Sequence, residues 1–403
     1  MTDLVEHISR QLARRAVAFA PTSWNTLIPL FERFPEAIFF GGGAPALELM
    51  PVERLRQAAA LAWQDAPEAL SYGEVAGFLP LRELIATRMA AQGMTVGASD
   101  LVVTNGSQQG IDLVCRLLID PGDSILVENP TFLGALQVFD SYEATVIPVP
   151  MDDAGLQIDA LARTLAAAPR PPKLLYTIPT FQNPTGVSLS QERREALIAL
   201  ARAHNLLLVE DDPYGELRYD GEPLPALRAL DSEVVYLGTF SKTIAPGLRV
   251  GWIASPPALL APFLSAKEAV DIHNERITCR TVAYAADGFL DEHLVTARTA
   301  YRRRRDTLLT ALRHFMPDGV RWNEPEGGFF LWVELPDGMD AERLLPVAAA
   351  RGAIYLPGAW FYPSAPNRRS LRLAFSSLPE DQLAAGIERL AAAIAVGDVA
   401  AAR

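Results

Sequence analysis

Lys173-Leu-Leu-Tyr-Thr-Ile178, a helical stretch from Gln191 to Ala203, and then Leu206-Leu-Leu-Val209 decide the fold. Both flanking runs are apolar without alternation, as strands buried on both faces are. A helix between two such strands returns the chain to a parallel neighbour. The same rhythm extends in both directions. Leu101-Val-Val-Thr104 precedes a helix from Ser107 to about Ile119, and Ser124-Ile-Leu-Val127 precedes another from about Thr131. Thr145-Val-Ile-Pro148, Val234-Val-Tyr-Leu237 and Val250-Gly-Trp-Ile253 complete the set. The expectation is an α/β fold: a mostly parallel seven-stranded sheet with helices on both faces. Ligands of such sheets bind beyond the carboxyl ends of the strands.

After about Pro256 the text turns to long helical stretches. Gly328-Phe-Phe-Leu-Trp-Val333, Leu371-Arg-Leu-Ala-Phe375 and a last helix opened by Pro379 follow. They predict a smaller α+β domain, bridged by a long helix around 256–290. The expected division is 1–45 as a segment joining the small domain, 46–290 as the large domain and 291–403 as the small one. The alanine-rich tail after Val396 is expected to fray.

Bulk properties narrow the function. The chain has 403 residues, half of them hydrophobic, and a net charge of −12 that argues against a nucleic-acid surface. Only Cys115 and Cys279 are present, which excludes a disulfide framework and points to a reducing, cytoplasmic compartment. No run reaches the ~18 apolar residues of a membrane span. Met1 to Arg15 carries acidic residues and His rather than an export signal. Arg302-Arg303-Arg304-Arg305, beside Asp306, reads as a solvated helix face.

The chemistry starts from a scarcity. Among 36 Lys plus Arg, only Lys173, Lys242 and Lys267 are lysine. Lys242 follows the apolar run Val234 to Leu237 within Thr239-Phe240-Ser241-Lys242-Thr243. Arg cannot give up its proton, whereas a desolvated Lys becomes a neutral amine able to attack a carbonyl. Hydroxyls at Thr239, Ser241 and Thr243, with Arg249 close behind, suit a phosphate beside that amine. A lysine that only snorkels at a strand end is the plain alternative.

Four further motifs each follow or lie in an expected strand. Gly106-Ser107-Gln108-Gln109 opens a helix whose free N–H groups could receive a phosphate, or Ser107 could be a simple cap. Asn183-Pro184-Thr185-Gly186 could aim Asn183 at a phenolate-like oxygen, or be an ordinary turn. In Glu210-Asp211-Asp212-Pro213-Tyr214, buried carboxylates require a cation: a protonated ring nitrogen, or magnesium. Arg372, inside an apolar strand, requires an anion: a substrate carboxylate, or a structural partner. A phosphate cup, a carbonyl-reactive amine, an acid for a ring nitrogen and a fork for a carboxylate together describe pyridoxal 5′-phosphate with an amino acid.

On these motifs, from Gly41-Gly42-Gly43-Ala44-Pro45 to the final helix, the chain resembles the class I/II aminotransferases of the fold-type-I pyridoxal-phosphate enzymes. It looks most like the branch of 2-aminoadipate (kynurenine) and broad-specificity aminotransferases. The resemblance implies that Lys242 carries the cofactor as a Schiff base and moves the substrate proton. It implies that Asp211 pairs with the pyridine nitrogen and that Asn183 and Tyr214 bind the ring oxygen. Ser107, Gln108, Thr239, Ser241 and Arg249 would hold the phosphate, with Tyr72 of a second subunit in an obligate homodimer. Phe132 would stack on the ring, Arg372 would bind the substrate carboxylate, and Gly43 would line the pocket. No metal is implied.

Two departures bear on substrate. Many relatives have Tyr where Phe132 stands. Relatives acting on 2-aminoadipate often carry an early Arg, whereas Thr22-Ser23-Trp24-Asn25 has none; Arg276, in a polar loop, could read the side chain instead. The expected reaction is ping-pong transfer from an L-amino acid (2-aminoadipate, aromatic or branched-chain) to an oxo acid such as 2-oxoglutarate. A lyase, decarboxylase or racemase would use the same cofactor residues. A transcription regulator with an aminotransferase-like domain is the reading from another class; it would place a DNA-binding domain before the pocket motifs, which here begin at Gly41.

Overall fold

The computed structural model describes residues 7–8, 10–19 and 23–401. Much of the Met1–Arg15 stretch read for an export signal, and Thr22, lie outside the described residues. All seven expected strands form. They are β1 (Leu101–Thr104), β2 (Ser124–Asn129), β3 (Thr145–Asp152), β4 (Leu174–Thr177), β5 (Leu207–Asp212), β6 (Val235–Thr239) and β7 (Gly251–Ala254). Their order across the sheet is β1-β7-β6-β5-β4-β2-β3, and a two-residue strand, Gly155–Leu156, extends the sheet from β3. β1, β4, β6 and β7 are buried at every position. Each fully covered Leu or Val contributes roughly 1.5–3 kcal/mol. Helices α1 (Ser107–Leu118) and α2 (Gln191–His204) pack on the sheet. Ser190 caps α2 by accepting from Arg193 N, and Asn205 ends it in the left-handed conformation.

Strands β2 to β6 are joined by parallel pairings. β7 is antiparallel to both β6 and β1, because the segment between Thr239 and Gly251 is too short for a helical crossover. This reversal matters for the site. It sets the start of β7 against the carboxyl ends of its neighbours, with Gly251 opposite both Thr104 and Thr239. Arg249 is thereby delivered to the same edge as the loops after β1 and β6.

The second, smaller sheet contains β8 (Phe330–Glu334) and β9 (Ser370–Ala374), flanked by Arg321–Trp322 and Leu356–Pro357, all antiparallel. Ile38–Phe39 pairs with Ala353–Ile354, and Leu27 and Phe40 enter the core of this part. The last helix runs Glu380–Ala401, so the stretch after Val396, expected to fray, continues as helix to Ala401.

The expected single helix over 256–290 is corrected. α3 (Pro257–Asp271) stops at Ile272, whose φ of 65° is a conformation that β-branched residues rarely adopt. α4 (Arg276–Ala286) restarts behind Glu275, whose carboxylate accepts from Ile277 N and Thr278 N. The connecting helix is instead α5 (Leu290–Phe315). Its Leu290, Leu294, Ala297 and Tyr301 belong to the core under β1 and β7, and Leu308, Leu309 and Leu312 to the core of the smaller sheet. The arginine run lies on it. Arg302 and Arg303 are exposed as expected, but Arg304 and Arg305 are buried. Arg304 binds Glu48 and Ser376 O, and Arg305 binds Asp220 and Pro325 O. A helix enclosed by two cores has no wholly solvated face.

Candidate active site

Apart from Tyr72 and Arg276, the candidate site residues read from the sequence arrive at one edge of the main sheet. Lys242 lies just past β6, half-buried, with Nζ donating to Gly43 O at 2.7 Å. Burial, and then the positive charges of Arg372 and Arg249, lower its pKa to about 8. A Cβ on Gly43 would meet Phe330 at 2.7 Å, so only glycine lets this backbone approach the amine.

The three acidic residues of β5 diverge, because successive residues of a strand point to opposite faces. Glu210 accepts from Leu227 N and Arg228 N, and so anchors a neighbouring turn. Asp212 accepts from Gly215 N and the Tyr236 hydroxyl. Asp211 is buried and takes the Tyr176 hydroxyl on Oδ2 at 2.7 Å, while its Oδ1 has no partner. Burial pushes the Asp211 carboxyl up to about 7, against the lowering effect of the Tyr176 hydrogen bond. The divergence disfavours magnesium, and among the described residues no three His, Cys, Asp or Glu side chains gather as a metal site. A buried, half-satisfied carboxylate suits a cationic ring nitrogen.

Arg372 of β9 is also buried, and its hydrogen-bond partners are neutral. Nη1 donates to Asn183 Oδ1 at 2.8 Å and Nη2 to Gly41 O at 2.6 Å, while Nε has no partner. The guanidinium lies 4.0 Å from the centre of the Phe330 ring and 5.0 Å from that of Phe361. Burial lowers its pKa to about 10. Among the described residues Arg372 makes no salt bridge, so its buried charge has no anionic partner there. With Asn183 Oδ1 taken by Arg372, the amide nitrogen of Asn183 is the end free to donate. Tyr214 is buried between Phe329 and Phe330, and burial holds its phenol protonated.

The residues expected to hold a phosphate converge where α1, β6 and β7 meet. Gly106 precedes α1 with φ of 75°, and a Cβ there would fall 2.3 Å from Arg249 Nη2. Arg249 Nη2 donates to Asn105 O, and Nη1 reaches Ser241 Oγ at 3.4 Å. Thr239 and Ser241 place their hydroxyls 2.9 Å apart. Ser107 and Gln108 form the first turn of α1, where unpaired N–H groups and the helix dipole favour an anion. Phe132 follows β2 and packs beside Gly134, whose carbonyl binds Gln108 Nε2.

Tyr72 is separate from this group. It is 80% exposed, with its ring edge-on to His273. The residue that sequence reasoning missed is Tyr176. Its signal was available: a Tyr inside a fully buried strand must find a hydrogen-bond partner.

Residues 36–390 match the family described as aminotransferase class I and II, and the chain belongs to that family. It is therefore an aminotransferase on the fold-type-I framework. It is 41% identical to the aromatic-amino-acid aminotransferase 1 of Thermococcus litoralis, over 96% of this chain and 94% of that one. The kynurenine aminotransferase of Pyrococcus horikoshii, solved with PMP, superposes with a TM-score of 0.92 at 38% identity, covering 98% and 99% of the two chains. The alpha-aminoadipate aminotransferase of Thermus thermophilus, solved with N-(5′-phosphopyridoxyl)-L-leucine, gives 0.90 at 33% identity, covering 97% and 99%. The cofactor is pyridoxal 5′-phosphate. The unpartnered Asp211 Oδ1 and Arg372 Nε, and the cup around Gly106, fit that group and its substrate.

Proposed function

We propose that this aminotransferase takes aromatic and other apolar L-amino acids as donors, passes the amino group to a 2-oxo acid such as 2-oxoglutarate, and works as a cytoplasmic homodimer. The observation that carries the donor class is the aromatic lining beside Arg372. Phe330 and Phe361 flank the guanidinium, and Gly41, whose carbonyl holds it, abuts Phe39 in a cluster with Phe31 and Trp24. Trp24 lies in the stretch where the resemblance to 2-aminoadipate aminotransferases leads one to look for an Arg, and Ser23-Trp24-Asn25 offers none. The aromatic-amino-acid and kynurenine aminotransferases among the relatives support the same class.

Pyridoxal phosphate, when bound, supplies an aldehyde that condenses with amines and a ring that accepts electrons from Cα. The protein supplies the rest. Lys242 would anchor the group covalently and, as a free amine, would take the Cα proton and return it. Its lowered pKa keeps a useful neutral fraction near pH 7. Asp211, held through Oδ2 by Tyr176, would offer Oδ1 to the protonated ring nitrogen. Asn183 and Tyr214 would donate to the ring oxygen, and Phe132 would cover the ring face. Ser107, Gln108, Thr239, Ser241 and Arg249 hold the phosphate, and Gly43 and Arg372 orient the donor.

The exposed Tyr72, with Trp63 and Leu70 exposed nearby in sequence and Val270 and Ile272 exposed close to its contact His273, supports a dimer in which Tyr72 reaches the second subunit's phosphate. The free buried thiols Cys115 and Cys279 suit a reducing compartment. We keep 46–290 as the cofactor-binding unit, with 1–45 and 291–403 forming the smaller one, a division supported by the pairing of Ile38–Phe39 with Ala353–Ile354.

Single-turnover rates for phenylalanine, tyrosine, kynurenine, leucine, 2-aminoadipate and glutamate test the donor class. Phenylalanine or tyrosine should lead, and 2-aminoadipate in first place would overturn it.

A further inference from the structure

Arg276, read as part of a polar loop, is the first residue of α4, and the reaction above does not use it. Its side chain is only 17% exposed. Nη1 donates to three backbone carbonyls, Glu68 O at 2.5 Å, Ser71 O at 2.8 Å and Tyr72 O at 3.1 Å, and Nη2 lies 3.4 Å from Glu68 Oε1. These donors are therefore committed to the segment that carries Tyr72, in place of a substrate side chain. The contact is built closely. A Cβ on Gly73 would fall 2.6 Å from Arg276 Nε.

The grip continues along one face of α4. Four residues on, Arg280 binds the same Glu68 carboxylate at 3.1 Å and Asp65 at 3.2 Å. Another turn on, the Tyr284 hydroxyl donates to Asp65 Oδ2 at 2.5 Å. The start of α4 is tied in turn to the phosphate cup of its own subunit. Asn274 Nδ2 donates to Asn105 Oδ1, and Asn105 O accepts from Arg249. Tyr72 itself touches His273 of the same loop. An exposed aromatic ring is thus carried on backbone whose carbonyls converge on a single cation.

We infer that Arg276 is a positioning residue that fixes the backbone of Glu68–Tyr72 and so presents the Tyr72 hydroxyl, already ordered, to the cofactor phosphate of the second subunit. This rests on the dimer reading above. Ordering the segment in advance removes a cost that phosphate binding would otherwise meet.

The test uses the purified dimer in its PMP form, with PMP release followed by equilibrium dialysis and the oligomeric state by light scattering. Tyr72→Phe removes one hydrogen bond to a charged group and should weaken PMP binding about tenfold. Arg276→Ala should weaken it by a similar factor with the dimer intact, and the double variant should be no worse than either single one. Gly73→Ala, which displaces the guanidinium without removing it, should reproduce the effect. Unchanged PMP affinity in Arg276→Ala, beside weakened binding in Tyr72→Phe, would overturn the inference and leave the dimer reading standing. Multiplied effects in the double variant, or dissociation of the Arg276→Ala dimer, would also overturn it. Unchanged affinity in Tyr72→Phe would remove the underlying reading, and this inference with it.

Discussion

Replacing Arg372 with leucine tests the site where its electrostatics are most unusual. The guanidinium is buried on neutral partners, Asn183 Oδ1 and Gly41 O, and its Nε donates to nothing. A donor carboxylate arriving there forms charge-assisted hydrogen bonds worth about 1.5–3 kcal/mol each. Two such bonds supply about 3–6 kcal/mol, so kcat/KM for an amino acid should fall roughly 10²–10⁴-fold in Arg372→Leu. Arg372→Lys keeps the charge without the planar fork and should fall between. The decisive assay compares L-phenylalanine with phenethylamine, which lacks the carboxylate, in single turnovers of the loaded enzyme. The loss should be confined to the amino acid, with the amine changing by less than about threefold. Equal losses on both would mean that Arg372 holds the pocket together through Asn183 and Gly41, and would refute the carboxylate assignment.

Three other outcomes are expected. Lys242→Ala should lose more than the ~10²–10⁴-fold typical of one acid–base group, because anchoring is lost as well, and a borohydride-reduced adduct should no longer form. Tyr176→Phe removes the donor to Asp211 Oδ2, so the Asp211 pKa rises and its pairing with the ring nitrogen weakens; PMP affinity measured by dialysis should drop, and an unchanged value would count against the pairing. In cofactor-free protein the captured aldehyde needs the neutral Lys242 amine, whose pKa is lowered to about 8. The rate of cofactor capture should therefore rise about tenfold from pH 7 to pH 9 and then level off, whereas an ordinary lysine would keep rising past pH 10.

Much of this was legible in the sequence for a physical reason. β4 and β5 declare themselves because strands covered on both faces carry short apolar runs without alternation, here Leu174-Leu175 and Leu207-Leu208-Val209, set on either side of a helical stretch. Asn183, Asp211 and Lys242 stood out as polar groups placed directly behind such strands. Pairing order is not written in any one segment, and so the contact of Tyr176 with Asp211 across β4 and β5 was missed. The break at Ile272 was hidden because an isoleucine at positive φ is held there by its surroundings, with no local glycine to announce it. Arg304 and Arg305 were misread because burial of a charged helix face depends on what encloses the helix. Arg276 was read for its charge, while its partners are backbone carbonyls that carry no sequence signature.

At about 1.5 Å per residue, α5 is a rod of about 39 Å. Its first half completes the interior beneath β1 and β7, and its second half completes the interior behind β8 and β9. The cofactor edge and the arginine of β9 thus belong to lobes that share one structural member. Removing that member would open the interior beneath β1 and β7 and the interior behind β8 and β9 at the same time, so the two halves of the cleft are coupled through it.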